Sequence, residues 1–160
     1  NAINDTGDSG WMAAVQELFD LDSFALFWAV ENYIGHSDGY AEATNNYFLH
    51  SDNDSYFTMM PWGTDDCFTS EPSFPTGSGV LCQRCLGISE CSSMYDDALS
   101  TLESKIGAMN LTSLINQIDG VIDSFVEEDS YMTFSYAEYQ TAVADVIAFV
   151  QGRSTAKSVR

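Results

Sequence analysis

The residues best suited to chemistry are acids and amides on either side of one short hydrophobic segment. Asp38 lies in a polar loop, Asn45 and Asn46 precede "YFLH", and Asp65 and Asp66 follow "YFTMMPWG". If the segment folds as a hairpin, its ends bring these side chains together. Carboxylate and amide oxygens suit Mg²⁺, which retains waters and binds phosphate ligands. The sequence therefore predicts a magnesium site beside the hairpin, although such residues are also ordinary turn formers.

Two other chemistries fit the sequence poorly. An EF-hand loop begun at Asp52 would need Gly at its sixth position and Glu at its twelfth, where the chain has Phe57 and Gly63. "SDNDS" is therefore predicted to be a turn. Nucleophilic hydrolysis needs a base, but the only histidines are His36 and His50, and no serine lies in G-x-S-x-G.

Composition restricts the ligands and partners. Twenty-four acids against five Lys and Arg residues give a net charge of -19, which repels nucleic acid and anionic membrane. A polyanionic ligand would need a cation beside it. No apolar run approaches the roughly 20 residues that span a bilayer. With 45% hydrophobic residues, we expect residues 1–160 to form a single domain.

The four cysteines are clustered at Cys67, Cys82, Cys85 and Cys91. An even, clustered set in an acidic chain favours disulfides and an oxidising compartment. The alternatives are a zinc site, for which a second C-x-x-C is missing, and free thiols.

Hydrophobic spacing predicts a helix over 11–20 and a second one within "LDSFALFWAVENYIG", with Asp22 or Ser23 as N-cap and Gly35 as the stop. The second helix is apolar almost all round, so it should be central and buried. A polar loop over 36–45 leads into the strands "NYFLH" and "YFTMMPW".

The rest of the chain reads as helical after an irregular stretch over 69–80. Ser92 or Ser93 is the expected cap of the next helix, and Gly152 the end of the last. The fold class predicted is α+β, predominantly α, with five or six helices and one hairpin. Three further helical faces are expected to point inward, formed by Met94, Ala98, Leu99, Leu102 and Ile106; by Leu111, Leu114, Ile115, Ile118, Ile122 and Phe125; and by Val143, Val146, Ile147 and Val150.

Several segments, in order, resemble the spore coat protein H (CotH) kinase family of secreted or surface proteins. "LDSFALFWAVENYIGHSDGY" looks like its buried helix and catalytic loop, "NNYFLH" like its next strand, and "MMPWGTDDCF" like its P-W-G-T-D segment. "VLCQRCLGISECSSMYDDAL" and "VADVIAFVQGR" resemble its Cys-containing stretch and closing helix. The resemblance covers roughly residues 18–155 and implies the C-terminal lobe of a protein-kinase-like fold, whose hairpin carries a metal-binding loop.

The resemblance also implies roles for site residues. Asp38 would orient or deprotonate the acceptor hydroxyl. Asn46 would be the metal-binding amide, with Asn45 as its less favoured neighbour. Asp65 would bind the Mg²⁺ or Mn²⁺ that bridges the phosphates of the substrate ATP, and Asp66 is a further candidate ligand.

Three features depart from the kinase pattern. Gly63 stands where many members have an acid, and Asn46 follows Asp38 by eight positions where kinases have five. ATP handling also needs an upstream lobe with a Lys, but Lys105 and Lys157 lie downstream of the metal loop. Since the chain begins at Asn1, we expect it to be the C-terminal part of a longer protein.

The function implied is transfer of the ATP γ-phosphoryl group to Ser or Thr of a secreted or surface protein. The alternative is a non-catalytic surface, spore-coat or adhesion module that binds a protein partner. For the cysteines we predict Cys85–Cys91 and Cys67–Cys82, out of three possible connectivities. The second bridge would tie the metal loop to the segment that follows it.

Overall fold

The computed structural model describes residues 2–69 and 75–155. The chain divides into two compact units, Asn1–Leu102 and Glu103–Arg160. The expectation of a single domain stays a prediction. The described residues form eight helices and one two-stranded sheet, in the order α1 (Ala2–Asp5), α2 (Asp8–Gln16), α3 (Leu21–Ile34), α4 (Tyr40–Ala43), β1 (Tyr47–Ser51), β2 (Phe57–Pro61), α5 (Val80–Leu86), α6 (Ser89–Ala108), α7 (Leu111–Glu128) and α8 (Tyr136–Thr155).

Helix α3 is the centre of the first unit, as predicted. Phe24, Trp28 and Ala29 are completely enclosed, and the Trp28 indole donates to the Thr76 carbonyl oxygen at 2.6 Å. Gly35 ends the helix in the left-handed region, at φ 63°. Burial of these large side chains from water is the main stabilising contribution in this unit.

The predicted N-cap of α3 is wrong by two or three residues. Asp20 caps the helix, because its carboxylate accepts from the Ser23 backbone N–H at 2.9 Å and from the Ser23 hydroxyl at 2.7 Å. A cap of this kind satisfies donors that the first turn leaves open. The preceding helix is also displaced from the predicted 11–20, since α2 ends at Gln16 and Leu18 is exposed.

The hairpin follows the prediction. β1 and β2 pair antiparallel, with Tyr47 opposite Pro61 and Ser51 opposite Phe57. The Asp52 carboxylate accepts from the backbone N–H groups of Asp54 and Tyr56, both at 2.9 Å, and these hydrogen bonds close the turn. The loop predicted over 36–45 contains one helical turn, α4. The first N–H groups of this turn donate to the Glu31 carboxylate.

The hairpin is joined to the beginning of α3 by backbone hydrogen bonds. The Phe57 N–H donates to the Leu18 carbonyl oxygen at 2.8 Å, and the Asp20 N–H donates to the Phe57 carbonyl oxygen at 3.0 Å. These bonds pair the start of β2 with the residues just before α3, so the strand and the central helix are positioned together.

The cysteine predictions have different outcomes. The Cys85–Cys91 disulfide is present and links α5 to the first turn of α6. The Cys67–Cys82 pairing is wrong, because both residues are buried free thiols. Burial, with Asp66 nearby, raises the pKa of the Cys67 thiol to about 11.

The predicted irregular stretch is coil at its described positions up to Gly79, and residues 70–74 lie outside the described residues.

The later helices differ from the predictions at their ends. α6 begins at Ser89 rather than after Ser92 or Ser93, and α8 continues through Gly152 to Thr155. Within α6, Leu99 and Leu102 are buried, as expected for its inward face.

In the second unit α7 packs against α8. The Tyr136 hydroxyl donates to Asp123 and the Tyr139 hydroxyl to Asp119, both at 2.6 Å. The hydrogen bond to Asp119 raises the pKa of Tyr139 to about 12. The predicted inward face of α7 is largely wrong, since four of its six members are exposed: Leu114, Ile118, Ile122 and Phe125.

No helix among the described residues is long and apolar enough to cross a membrane.

Candidate active site

Asp38 lies in the loop between α3 and α4, and its half-buried carboxylate is held by two amides. The Asn46 side-chain amide donates to it at 2.7 Å, and the Asn45 amide donates to both of its oxygens at 3.2 and 3.3 Å. We refer to Asp38, Asn45 and Asn46 as the Asp38 cluster. The structure thus brings this acid and these amides together before the hairpin begins; the grouping with Asp65 and Asp66 across the hairpin stays a prediction.

Asn46 is positioned by the segment that leaves the hairpin. Its backbone has a positive φ of 47°, and its carbonyl oxygen accepts from the Trp62 N–H at 3.0 Å. Gly63 adopts φ 58°, and a Cβ there would lie 2.9 Å from the Asn46 Cγ. A larger residue at position 63 would therefore displace the Asn46 side chain, which explains why glycine rather than an acid occupies this position.

Glu31 is a buried acid that the sequence analysis did not identify. It lies on α3 with 3% of its surface exposed and accepts from the backbone N–H groups of Tyr40 at 3.0 Å and Ala41 at 2.7 Å. Desolvation raises the pKa of Glu31, against the opposing effect of these two hydrogen bonds. By binding the first turn of α4, Glu31 fixes the end of the loop that carries Asp38.

His36 joins the same loop to the hairpin exit. Its Nε2 lies 3.0 Å from the Gly63 carbonyl oxygen, which can only accept, so this nitrogen carries the proton. The other nitrogen, Nδ1, is 3.5 Å from Glu31 Oε1 and has no hydrogen-bond partner among the described residues. A Cβ at Gly39 would come within 2.6 Å of both Glu31 Oε1 and His36 Nδ1, so only glycine fits at this position of the loop.

One sequence signal for Glu31 exists. It is an acid within a helix that is otherwise apolar almost all round, so burial of the helix implies burial of a carboxylate. The role of His36 has no comparable signal, because its partner Gly63 is 27 residues away and is chosen by the loop path.

The two acids after the hairpin have different environments. Asp66 accepts a hydrogen bond from the Ser37 hydroxyl at 2.7 Å, which places it beside the residue preceding Asp38. Asp65 is exposed. The segment is held to the end of α3 by the Phe68 N–H, which donates to the Ile34 carbonyl oxygen at 2.7 Å.

The donors near the Asp38 cluster are oxygens, but no three acids converge. Among residues 2–69 and 75–155, no group of three or more His, Cys, Asp and Glu side chains is arranged to hold a metal ion. Mg²⁺ commonly uses one or two carboxylates with waters and substrate phosphates, so a site of this kind does not require three protein acids. The donor chemistry therefore fits Mg²⁺ or Mn²⁺ better than zinc, which prefers nitrogen and sulfur ligands.

Two aromatic side chains are exposed beside the cluster. Phe48 follows Asn46 by two residues and Trp62 precedes Gly63, and their ring centroids are 5.3 Å apart. They are 51% and 60% exposed. Such a pair offers an apolar surface at the end of the hairpin where the Trp62 N–H donates to the Asn46 carbonyl oxygen.

Comparison with known proteins identifies the family. The family model described as CotH kinase protein matches residues 1–156, nearly the whole chain. No curated protein matches the sequence significantly. Because the family match covers far more than half of the chain, the chain belongs to the CotH kinase protein family.

Proposed function

We propose that the chain is the C-terminal lobe of an ATP-dependent protein kinase that phosphorylates Ser or Thr hydroxyls. The observation that supports this most strongly is the Asp38 cluster, in which a loop carboxylate contacts the amide that begins the hairpin, with 2.7 Å between Asn46 Nδ2 and Asp38 Oδ2. Kinases use an acid and an amide of this kind to orient the acceptor hydroxyl and to hold metal.

Asp38 is the group proposed to act on the acceptor. Its carboxylate accepts a hydrogen bond from the Ser or Thr hydroxyl and receives its proton as the hydroxyl oxygen bonds to the γ-phosphorus. The bond between the γ-phosphorus and the oxygen that bridges it to the β-phosphate breaks, and ADP leaves with that electron pair. Asn45 and Asn46 hold the carboxylate so that one oxygen orientation is maintained.

Asn46, Asp65 and Asp66 are the proposed metal and ATP ligands. Mg²⁺ or Mn²⁺, when bound, neutralises phosphate charge in the reaction. The Asn46 side-chain oxygen is available for this because its nitrogen makes the bond to Asp38. With a net charge of -19, the protein would otherwise repel ATP, so the proposed function depends on a divalent cation.

The exposed rings of Phe48 and Trp62 support a nucleotide ligand. A nucleobase stacks on exposed aromatic surface, and here that surface lies at the end of the hairpin where the Trp62 N–H donates to the Asn46 carbonyl oxygen. Both halves of a nucleotide, one apolar and one anionic, thus find matching chemistry along one end of the hairpin.

A secreted or surface location is part of the proposal. The Cys85–Cys91 disulfide supports it, since disulfides persist mainly in oxidising compartments. The acceptor would accordingly be a surface, coat or secreted protein.

A non-catalytic surface, spore-coat or adhesion module is the second candidate. It is favoured by the exposed position of Asp65. On this alternative the Asp38 cluster would only stabilise the loop.

Thermal unfolding with and without ligand separates the two candidates. MgCl₂ or MnCl₂ with ATP is expected to raise the Tm of the wild type, because a ligand that binds only the folded state stabilises it. Asp65→Asn should abolish most of the shift, whereas Asp54→Asn, an equal charge change in the hairpin turn, should keep it. No shift in the wild type, or equal shifts in both variants, would favour the non-catalytic module.

A second measurement tests the catalytic assignment. In the full-length protein, Asp38→Asn is expected to lower phosphoryl transfer from ATP to a protein acceptor by about a hundredfold or more. The Tm shift with MgCl₂ and ATP should remain. Unchanged transfer in Asp38→Asn would remove Asp38 from the reaction.

A further inference from the structure

Two buried polar side chains connect the two parts of the candidate active site. Glu31 and His36 have 3% and 2% of their surfaces exposed. The Glu31 carboxylate accepts from the first two N–H groups of α4, at 3.0 and 2.7 Å, where the loop over residues 35–39 that carries Asp38 ends. The His36 ring donates from Nε2 to the Gly63 carbonyl oxygen, at 3.0 Å, where the chain leaves the hairpin. The pair therefore holds the Asp38 loop and the hairpin exit to α3.

The contact between the two side chains is favourable only when a proton lies in it. Since Nε2 carries the hydrogen of a neutral His36 ring, Nδ1 is an acceptor, and it lies 3.5 Å from Glu31 Oε1. Among the described residues the buried Nδ1 has no hydrogen-bond partner. A carboxylate oxygen and a nitrogen lone pair this close repel each other, whereas one proton between them makes the contact a hydrogen bond.

The ionisable side chains on three neighbouring elements do not supply a competing charge near neutral pH. They are Tyr40 on α4, Cys67 after the hairpin and Cys82 on α5, and the charge of Glu31 acts on each of them. Burial raises the pKa of all three, that of Cys67 to about 11. The two exposed acids after the hairpin also act on Cys67. Desolvation raises the pKa of Glu31 as well, which favours retention of its proton.

We propose that Glu31 and His36 are positioning residues of the candidate active site and hold one buried proton between Oε1 and Nδ1. With this proton the pair has no net charge, whichever of the two atoms carries it, so its burial is tolerated. When alkaline pH removes the proton, a carboxylate faces a nitrogen lone pair in an enclosed site, and the Asp38 loop separates from the hairpin exit. The site is thus assembled at neutral pH and loosens as the pH rises.

Nitrogen NMR tests the shared proton without any ligand. From neutral to alkaline pH, the His36 Nδ1 resonance of the wild type should move from the position of a hydrogen-bonded nitrogen to that of a free acceptor. The Asn46 side-chain NH₂ resonances, which report the hydrogen bond to Asp38, should move over the same pH range. In Glu31→Gln both sets should stay in place, because the amide donates to Nδ1 at every pH.

Two variants with the same substitution separate positioning from general stability. His36→Gln keeps an amide that can donate to the Gly63 carbonyl oxygen but removes Nδ1, and His50→Gln makes the same change at an exposed position of β1. At neutral pH, His36→Gln should shift the Asn46 NH₂ resonances, whereas His50→Gln should not. Circular dichroism checks that both variants fold. If His36→Gln does not fold, the comparison of the wild type with Glu31→Gln still decides the question.

Ligand binding extends the test, and this part of the inference rests on the proposed function. If only the assembled site binds, the apparent affinity of the wild type for ATP with MgCl₂ should fall about tenfold for each pH unit above the loss of the proton. The affinity of Glu31→Gln should change little. Isothermal titration calorimetry measures both proteins. An absence of binding in both would contradict the proposed function and not the shared proton, which the NMR titration decides.

Two NMR results would overturn the proposal. A His36 Nδ1 resonance at the position of a free acceptor at neutral pH would show that the pair shares no proton. Equal movement of the Asn46 NH₂ resonances with pH in the wild type and in Glu31→Gln would show that the pair does not position the Asp38 cluster.

Discussion

Helices α3 and α7 show that hydrophobic pattern and burial are separate properties. α3 is apolar on nearly every side, and Phe24 and Trp28 have no exposed surface. α7 separates apolar from polar residues along its length, yet none of its residues is buried. Each helix lies within a different unit of the chain. A repeating pattern predicts that a helix forms and which face is apolar, but neighbouring elements decide whether that face is covered.

The two helices also use their acids differently. Glu31 on α3 is buried and bonded to backbone N–H groups. Asp119 and Asp123 on α7 instead accept from tyrosine hydroxyls. In α3 the acid therefore fixes a functional loop, whereas in α7 the acids fix the orientation of an exposed surface.

The largest expected effect is on the α3 side of the comparison. Phe24→Ala should lower the free energy of unfolding by about 3 to 5 kcal/mol, the range typical of an enclosed phenylalanine. Its ring packs against Phe19, Trp28 and Tyr40, with centroids 6.0 to 6.1 Å apart. Urea unfolding followed by tryptophan fluorescence measures this loss in the free energy of unfolding. A loss below about 1 kcal/mol would mean that α3 is not the centre of the stable core.

Two glycines sharpen the comparison at the level of single atoms. Gly63→Ala should destabilise the fold by about 1 to 3 kcal/mol, because its φ of 58° strains alanine and the new Cβ meets Asn46. Gly120→Ala on α7 meets nothing within 4 Å and should stabilise by about 0.5 to 1 kcal/mol. Thermal unfolding of the two variants measures these changes in stability. If both substitutions destabilised the protein, or both stabilised it, the expected difference between the two glycines would be contradicted.

Gly63→Ala also affects the proposed ligand site. By displacing the Asn46 side chain from Asp38, it should reduce the Tm shift caused by MgCl₂ and ATP. Gly120→Ala should leave that shift unchanged, since it lies in the other unit.

A pH experiment tests the buried acid of α3. Because burial raises the pKa of Glu31 in the folded state, the folded protein binds this proton more tightly than the unfolded chain does. Its contribution to stability is therefore complete below the ordinary carboxyl range and is lost as pH rises through the folded-state pKa. The free energy of unfolding of the wild type minus that of Glu31→Gln should be more positive at pH 4 than at pH 7.

Comparing the two proteins at each pH cancels the titration of the other acids. At low pH the two proteins should be close in stability, because a protonated carboxyl group and an amide each keep one carbonyl oxygen as an acceptor for the Tyr40 and Ala41 N–H groups. If the free energy of unfolding of the wild type minus that of Glu31→Gln became more positive toward pH 7, the Glu31 pKa would be lowered in the folded protein.

Much of the fold is predictable because its signals are local. α3 has an apolar sequence with a terminal glycine, and the hairpin has two β-prone runs around an Asx-rich turn. The Asp20 cap and the free thiols of Cys67 and Cys82 were mispredicted. Competing caps lie within three residues of one another, and cysteine pairing depends on the path of the chain between them.

The sequence predicts the polar residues of the candidate site but not the buried residues that hold them in place. Asp38 and the two asparagines follow from the order of acid, amide and hairpin in the sequence. The buried pair of Glu31 and His36 depends on how the loop folds back onto α3, which no spacing encodes. Their contacts were found only in three dimensions, 9 to 27 residues along the chain.

The smallest expected effect is on α7 and makes the comparison with α3 direct. Phe125→Ala is the same substitution as Phe24→Ala, but the Phe125 ring is 73% exposed and little of it leaves water on folding. The free energy of unfolding should change by about 0.5 kcal/mol or less. Chemical denaturation of Phe24→Ala and Phe125→Ala under one set of conditions gives the ratio of their losses in the free energy of unfolding. If Phe125→Ala cost as much as Phe24→Ala, the apolar face of α7 would be part of a core.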